Sequence, residues 1–347
     1  MSCRAVIALL SVAAALTACS GSAKAPASAA LTASPTPSSM NIPAASQQTV
    51  PGCPAGQLVS DAGQLKLALR SALPGAVILL APGTYTGNFV AALPGTETAP
   101  IILCGTREAV LNGGGVKSGY TLHLNAASWW HLVGFTVQGG QKGVVVDHAN
   151  HVLISRLYLH GIGDEAIHLR AFSSDNVVEN VIIRGTGLLR AKFGEGIYIG
   201  SASSNWCVYS SCGPDASDRN VIRDNDISQT TAENIDIKEG TTGGFVTGNR
   251  LSGVGMDSSA ARAWLNAKGN QWTIIANVGE RSVADGFQVH QVARGWGVQN
   301  VFHANQAAVD GPGFGFYVQF AFLGTIIGCD NVASGAGSGF SNTGCTK

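Results

Sequence analysis

The chain has 347 residues, of which 45 are glycine and 12% are charged, and lysine plus arginine equals aspartate plus glutamate at 21 each. That balance lacks the basic excess by which proteins hold nucleic acid, so nucleic acid is excluded as a partner. Length alone suggests two domains, but internal repetition overrides that prior and points to one extended domain.

The first element in chain order is a targeting segment. Arg4 precedes the apolar run Ala5 to Leu16, and Leu16-Thr17-Ala18-Cys19 closes it. The run is too short for a transmembrane helix. Small residues directly ahead of a cysteine fit a bacterial lipoprotein signal over residues 1–18, which leaves Cys19 as a lipidated first residue. Such a modification anchors a protein without spanning the bilayer. An exported protein held at a membrane through Cys19 is therefore expected. Residues 19–52 are rich in Ala, Ser, Thr and Pro, and the part from Ser20 to Val50 holds one charge, Lys24. That composition reads as a flexible tether ahead of a folded domain over residues 53–347. Six further cysteines belong to that domain, and an even count in an exported chain suggests disulfides. Locality favours Cys207–Cys212 and Cys329–Cys345, which leaves Cys53–Cys104. No Cys-x-x-Cys with paired histidines supports a zinc site.

Ser60 and Asp61 are candidate caps for a helix through Leu73, where Pro74-Gly75 stops it. Ala76 to Leu80 reads as a strand, Ala81-Pro82-Gly83-Thr84 as a turn, and Pro100 to Leu103 as another strand. Then six segments superpose: residues 165–170, 195–200, 233–238, 263–268, 285–290 and 312–317, whose starts are 30, 38, 30, 22 and 27 residues apart. Residues 142–147 fit the same register one coil earlier. The third and fifth places are apolar in all six, which places them in a core if the segments are strands. An asparagine follows each apolar stretch (Asn180, Asn225, Asn249, Asn277, Asn305 and Asn331), as a ladder of stacked turns requires. Coils of this length with short strands imply an all-β parallel β-helix, capped at its N-terminal end by the helix.

The outward places carry the chemistry. The fourth place reads His168, Tyr198, Asp236, Asn266 and Gln288, and the sixth reads Arg170, Lys238, Lys268, His290 and Tyr317. Two insertions leave these strands. One, between Gly200 and Asn225, holds Trp206, Tyr209 and the Cys207–Cys212 pair; the other, between His290 and Asn305, holds Arg294 and Trp296. They are expected to wall a groove with aromatic side chains that stack on sugar faces, Asn266, Gln288, Arg294 and Tyr317 completing the binding surface. A line of unpaired cations suggests an acidic, uronic-acid polysaccharide, and mutual repulsion would lower a lysine pKa enough to make it a base. Lys238 is then the leading base for β-elimination, with Lys268 or Arg170 on the uronate carboxylate and Tyr198 or His168 as the acid; His290 stands beside them. Glu233, Asn234 and Asp236 are candidate ligands for Ca²⁺, a cation that takes oxygen donors. Glu165, Glu195 and Glu233 share the first place and by parity point inward, bonding turn amides. Pairing two of them would instead suit a glycoside hydrolase.

The stretch from Leu73-Pro74-Gly75-Ala76-Val77-Ile78-Leu79-Leu80 through Ala81-Pro82-Gly83-Thr84-Tyr85, together with the helix before it, resembles the opening of the chondroitinase B and alginate lyase group of right-handed β-helix proteins. The resemblance implies a polysaccharide lyase with a lysine base, an arginine on a neighbouring coil, and calcium held by Asn and acidic residues ahead of the lysine. Residues 233–238 look similar, with Lys238 in the base position, whereas Lys268 stands where the group carries Arg. A uronide epimerase, a β-helix hydrolase and a non-catalytic glycan-binding lipoprotein are the alternatives, and a monomer is expected.

Overall fold

A computed structural model describes residues 49–347. The expected signal peptide, Cys19 and nearly all of the tether lie outside the described residues. Val50, just ahead of the expected domain boundary, is buried against Leu79 and Cys104.

The strands form three parallel sheets of 11, 10 and 10 members, each strand pairing with its counterparts one coil away. This is a parallel β-helix, as the repeat demanded. The sheet that carries the superposed segments runs from Phe89–Ala91 through Lys142–Asp147, Ile167–Arg170, Ile197–Ile199, Ile235–Ile237, Leu265–Ala267 and Phe287–Val289 to Phe314–Val318 and Gly339–Ser341. Its inward residues Ile167, Leu169, Ile197, Ile199, Ile235, Ile237, Leu265 and Phe287 are fully buried. Burying such side chains contributes roughly 1.5–3 kcal/mol each before chain entropy is counted. Toward the C-terminal end phenylalanine replaces the aliphatic stack, and Phe287 and Phe316 lie parallel with ring centroids 5.2 Å apart.

The cap helix spans Ala62–Ser71, with Asp61 as N-cap accepting the amide of Gln64 at 2.9 Å. Leu65, Ala68 and Leu69 close the end of the core. Gly83 and Thr84, expected in a turn, begin the strand Gly83–Thr86. All three expected disulfides form.

The asparagine ladder runs from Asn225 through Asn249, Asn277 and Asn305 to Asn331, each side-chain oxygen accepting the amide of the residue one coil before. Asn180 is not part of it. It sits exposed in a left-handed turn, and the amide that Asn225 receives is that of Val181. The apolar context repeated, but the turn there is one residue out of phase. The sixth segment is also displaced. Phe316 pairs with Phe287 and Tyr317 with Gln288, two residues from the sequence alignment. The strand before it, Gln306–Gly311, shifts register by one residue against the following coil between Ala308 and Gly311.

Candidate active site

Registered pairing of successive strands puts His168, Tyr198, Asp236, Asn266, Gln288 and Tyr317 in one outward row. Strand spacing sets neighbours about 4.8 Å apart. Arg170, Lys238, Lys268 and His290 stand beside that row at the strands' ends. A cavity of about 270 Å³ lies over the earlier coils, lined by Tyr120, Lys142, His168, Arg170, Tyr198 and Tyr209 among others. A second, of about 370 Å³, lies over the later coils between Arg262, Gln288, His290, Phe314 and Tyr317. The Asp236 strand and its two lysines stand between them in the sheet.

The two insertions meet. Trp206 and Trp296 meet edge to face with ring centroids 6.5 Å apart, joining the two loops. Trp206 also packs on the turn at Gly240, where an added Cβ would come within 3.3 Å of its ring. Tyr209 lies over the Arg170 guanidinium at 4.1 Å. Arg294 is exposed on its loop.

The cations differ from the expectation. Arg170 is bidentate to Asp147, at 2.7 and 3.1 Å, and bonds the Tyr120 hydroxyl at 3.0 Å. Lys142 pairs with Glu165 at 2.8 Å. Lys238 and Lys268 share Asp236, at 3.0 and 2.7 Å. The expected row of mutually repelling cations is thus a row of ion pairs. Burial alone would lower the Lys238 pKa, but the adjacent Asp236 carboxylate outweighs it and holds Lys238 well above the usual lysine range. The lowered lysine pKa inferred from the cation row is overturned. The partners escaped notice because Asp147 and Glu165 lie on neighbouring coils, remote in sequence but adjacent in register.

His168 is fixed rather than free. Its Nε2–H donates to the carbonyl of Gly200 at 2.9 Å, and Nδ1 accepts from the Lys142 ammonium at 3.1 Å. Burial, then the charge of Lys142, drives its pKa well below the ordinary histidine value, so it is neutral with both nitrogens engaged. It has no proton to spare for a leaving group. Tyr198 packs edge-on against His168, with ring centroids 4.4 Å apart, and the Lys238 ammonium sits 5.0 Å above its ring. Burial pushes the phenol pKa well up, so Tyr198 keeps its proton. Among the described residues its hydroxyl has no hydrogen-bond partner, and its side chain lines the first cavity. His290 is neutral, its pKa lowered by burial and then by Lys268, with Nδ1 3.0 Å from the Asn266 oxygen.

The glutamates contradict the parity argument. Glu165 reaches Lys142 and lies 3.5 Å from His168, and Glu233 accepts from the Asn266 amide at 3.3 Å; both therefore turn to the outward face. Parity holds only inside a strand, and these strands begin two residues later. All three glutamates are nonetheless 4–8% exposed, lying under the row and not at its surface. Glu195, Glu233 and Asp236 approach within 4.8 Å of one another. Burial and then neighbouring carboxylates raise the pKa values of Glu195 and Glu233, Glu195 strongly. Of the expected calcium ligands, Glu233 and Asp236 come together, with Glu195 as a third carboxylate. The Asn234 side-chain NH2 donates to Thr230 and to the Ser252 carbonyl, which leaves its Oδ1 without a partner among the described residues, and two lysine ammonium groups pair with Asp236. Ca²⁺ takes six to eight oxygen ligands, and at Asp236 it would compete with the two lysines.

No protein-family profile matches the chain, and no curated protein does. Solved structures do. An alginate lyase from Paenibacillus sp. str. FPU-7 is 35% identical over 82% of this chain and 97% of its own, with a TM-score of 0.75. The pectate lyase Pel9A aligns at 16% identity over 78% of this chain and 72% of its own, with a TM-score of 0.54, and shares the fold. The active domain of a tailspike protein from bacteriophage CBA120 has the same fold, at 10% identity over 78% of this chain and 42% of its own, with a TM-score of 0.54. The identity to the alginate lyase over most of both chains, and not the fold alone, puts this chain in the class of β-helix polysaccharide lyases. Within that class, the chain belongs to the family of the Paenibacillus alginate lyase.

Proposed function

We propose that the protein is an exported lyase that cleaves a polyuronate, alginate foremost, by β-elimination at the centre formed by Tyr198, Lys238 and Lys268. The observation that carries this reading is a protonated phenol and a lysine on adjacent strands, 5.0 Å from ring to ammonium, at the edge of a groove. Lys238, as the free amine, takes the proton at C5. The electron pair forms the C4–C5 double bond as the C4–O4 bond breaks, and Tyr198 gives its proton to the departing oxygen. Lys268 supplies positive charge for the C6 carboxylate, whose developing negative charge is the main barrier to removing that proton. Arg170, locked by Asp147, Tyr120 and Tyr209, shapes the adjoining subsite, and Trp206 and Trp296 wall it. His168 positions Tyr198. Asn266 and Gln288 continue the groove. Calcium has no step in this scheme, because ammonium groups supply the charge. The disulfides suit an oxidising compartment, and Cys19 would tether the enzyme at the cell surface.

The test is digestion of alginate with the absorbance of the new double bond as readout. The wild type is expected to generate it, and Lys238→Ala to lose it. Absence of unsaturated product from alginate and other polyuronates would refute the reading.

A further inference from the structure

The cations around the groove fall into two kinds. Those that line the first cavity, Lys142, Arg170 and Arg190, are each paired with a carboxylate, respectively Glu165, Asp147 and Asp164. Lys238 and Lys268 share Asp236. Arg262, which lines the second cavity, has no carboxylate within 4.0 Å among the described residues, and it is exposed. The one acid in that cavity, Asp285, is engaged elsewhere. It accepts the Gln288 side-chain amide at 2.6 Å and the Phe314 backbone amide at 2.5 Å. The fold has satisfied that carboxylate with N–H donors and left the guanidinium open. The same cavity is lined by Phe314 and Tyr317, with ring centroids 6.3 Å apart, and His290 packs 5.6 Å from Tyr317.

We propose that this second cavity is a distal subsite, in which Arg262 binds the carboxylate of one uronate residue and Tyr317 supports its sugar face. An open guanidinium offers a carboxylate two parallel N–H donors, and an aromatic face beside it suits the apolar side of a pyranose. Tyr317 stands three strand spacings from Asp236, about 14 Å, and two from the strand that leads to Lys268, about 10 Å, so it supports a sugar beyond the one that Lys268 holds. The sequence hid it twice, because Arg262 lies outside the repeated segments and Tyr317 was placed two residues out of register. The proposal rests on the polyuronate reading above, but its test does not require catalysis.

The experiment is affinity electrophoresis through gels containing uncleaved alginate, comparing Lys238→Ala with the double variant Lys238→Ala/Arg262→Gln. Retention by the single variant and its roughly tenfold weakening in the double variant are expected, with Lys238→Ala/Arg262→Lys recovering part of it. Equal retention of the single and double variants, or none by the single variant, would overturn the subsite. In the otherwise wild-type enzyme, Arg262→Gln is expected to cut the KM advantage of long chains over a trisaccharide by about tenfold, with kcat within about twofold. An equal loss on both substrates would overturn the distal placement. Absence of unsaturated product with retention intact would refute the lyase mechanism and leave the subsite standing.

Discussion

On the proposed mechanism, the ion pair between Lys238 and Asp236 sets the pH at which the enzyme works. Lys238 acts only as the free amine, yet the Asp236 carboxylate at 3.0 Å stabilises its ammonium. At an effective dielectric constant of about 20, that separation is worth about 5 kcal/mol of attraction. Sharing Asp236 with Lys268 reduces the part that falls on Lys238, to roughly half. The folded pKa of Lys238 is raised, so its ionic contribution to stability is present below the unfolded pKa and is lost as pH rises through the folded one. Over that same upper range the active amine appears. Tyr198, which must keep its proton, is also raised, so the rate optimum falls on the alkaline side of neutrality. Asp236→Asn keeps the shape and removes the charge. It removes the main group that opposes burial at Lys238, leaving Tyr198 and Glu239 as the remaining groups that favour the ammonium. The acid limb of the kcat profile is therefore expected to move down by at least about one pH unit, a tenfold gain at a fixed pH on that limb. The assay is the initial rate of double-bond absorbance across pH, with circular dichroism confirming the fold. An acid limb that stays in place in a folded variant would refute the assignment of Lys238 as the base.

Three further outcomes are expected. Tyr198→Phe removes a hydroxyl that has no hydrogen-bond partner among the described residues, so it should leave the melting temperature nearly unchanged while lowering kcat by at least about 100-fold. Burial raises the Asp147 pKa, but hydrogen bonds from His123 and Arg170 override it and hold it at about 2. Asp147→Asn should therefore cost roughly 2 kcal/mol or more near neutrality. Because that pKa is depressed, the contribution is present above the unfolded value and fades as pH falls through about 2, so the melting-temperature gap should close in strong acid. Exhaustive chelation should leave the alginate rate within about twofold, since lysines hold Asp236; a loss that calcium alone restores would show that an ion displaces them.

Much of the fold was legible because its signal repeats. Ile167, Ile197, Ile235, Leu265 and Phe287 hold one inward place, and each coil tests the others' alignment. The disulfides followed from locality. What failed were features set at the ends of strands and between coils. Glu165 and Glu233 turn outward because parity lapses at a corner, Asn180 misses the ladder by one residue, and Tyr317 pairs two residues from its expected place. The outward places of the candidate residues were legible from the repeat, but not their charge partners. Arg170 looked free until Asp147, its partner in strand register, was set beside it. Lys238 looked like one of several repelling cations, although Asp236 stands two residues before it on the same strand face. Ionisation depends on distances of about 3 Å, which periodicity does not report.

The central claim is that the chain breaks a uronide bond by elimination, without adding water. The direct measurement is mass spectrometry of products from alginate digested in heavy-oxygen water. Unsaturated ends with no solvent oxygen, lost on Lys238→Ala, are predicted. Saturated products that carry the heavy oxygen would identify a hydrolase and return the buried glutamates Glu165, Glu195 and Glu233 to the catalytic role.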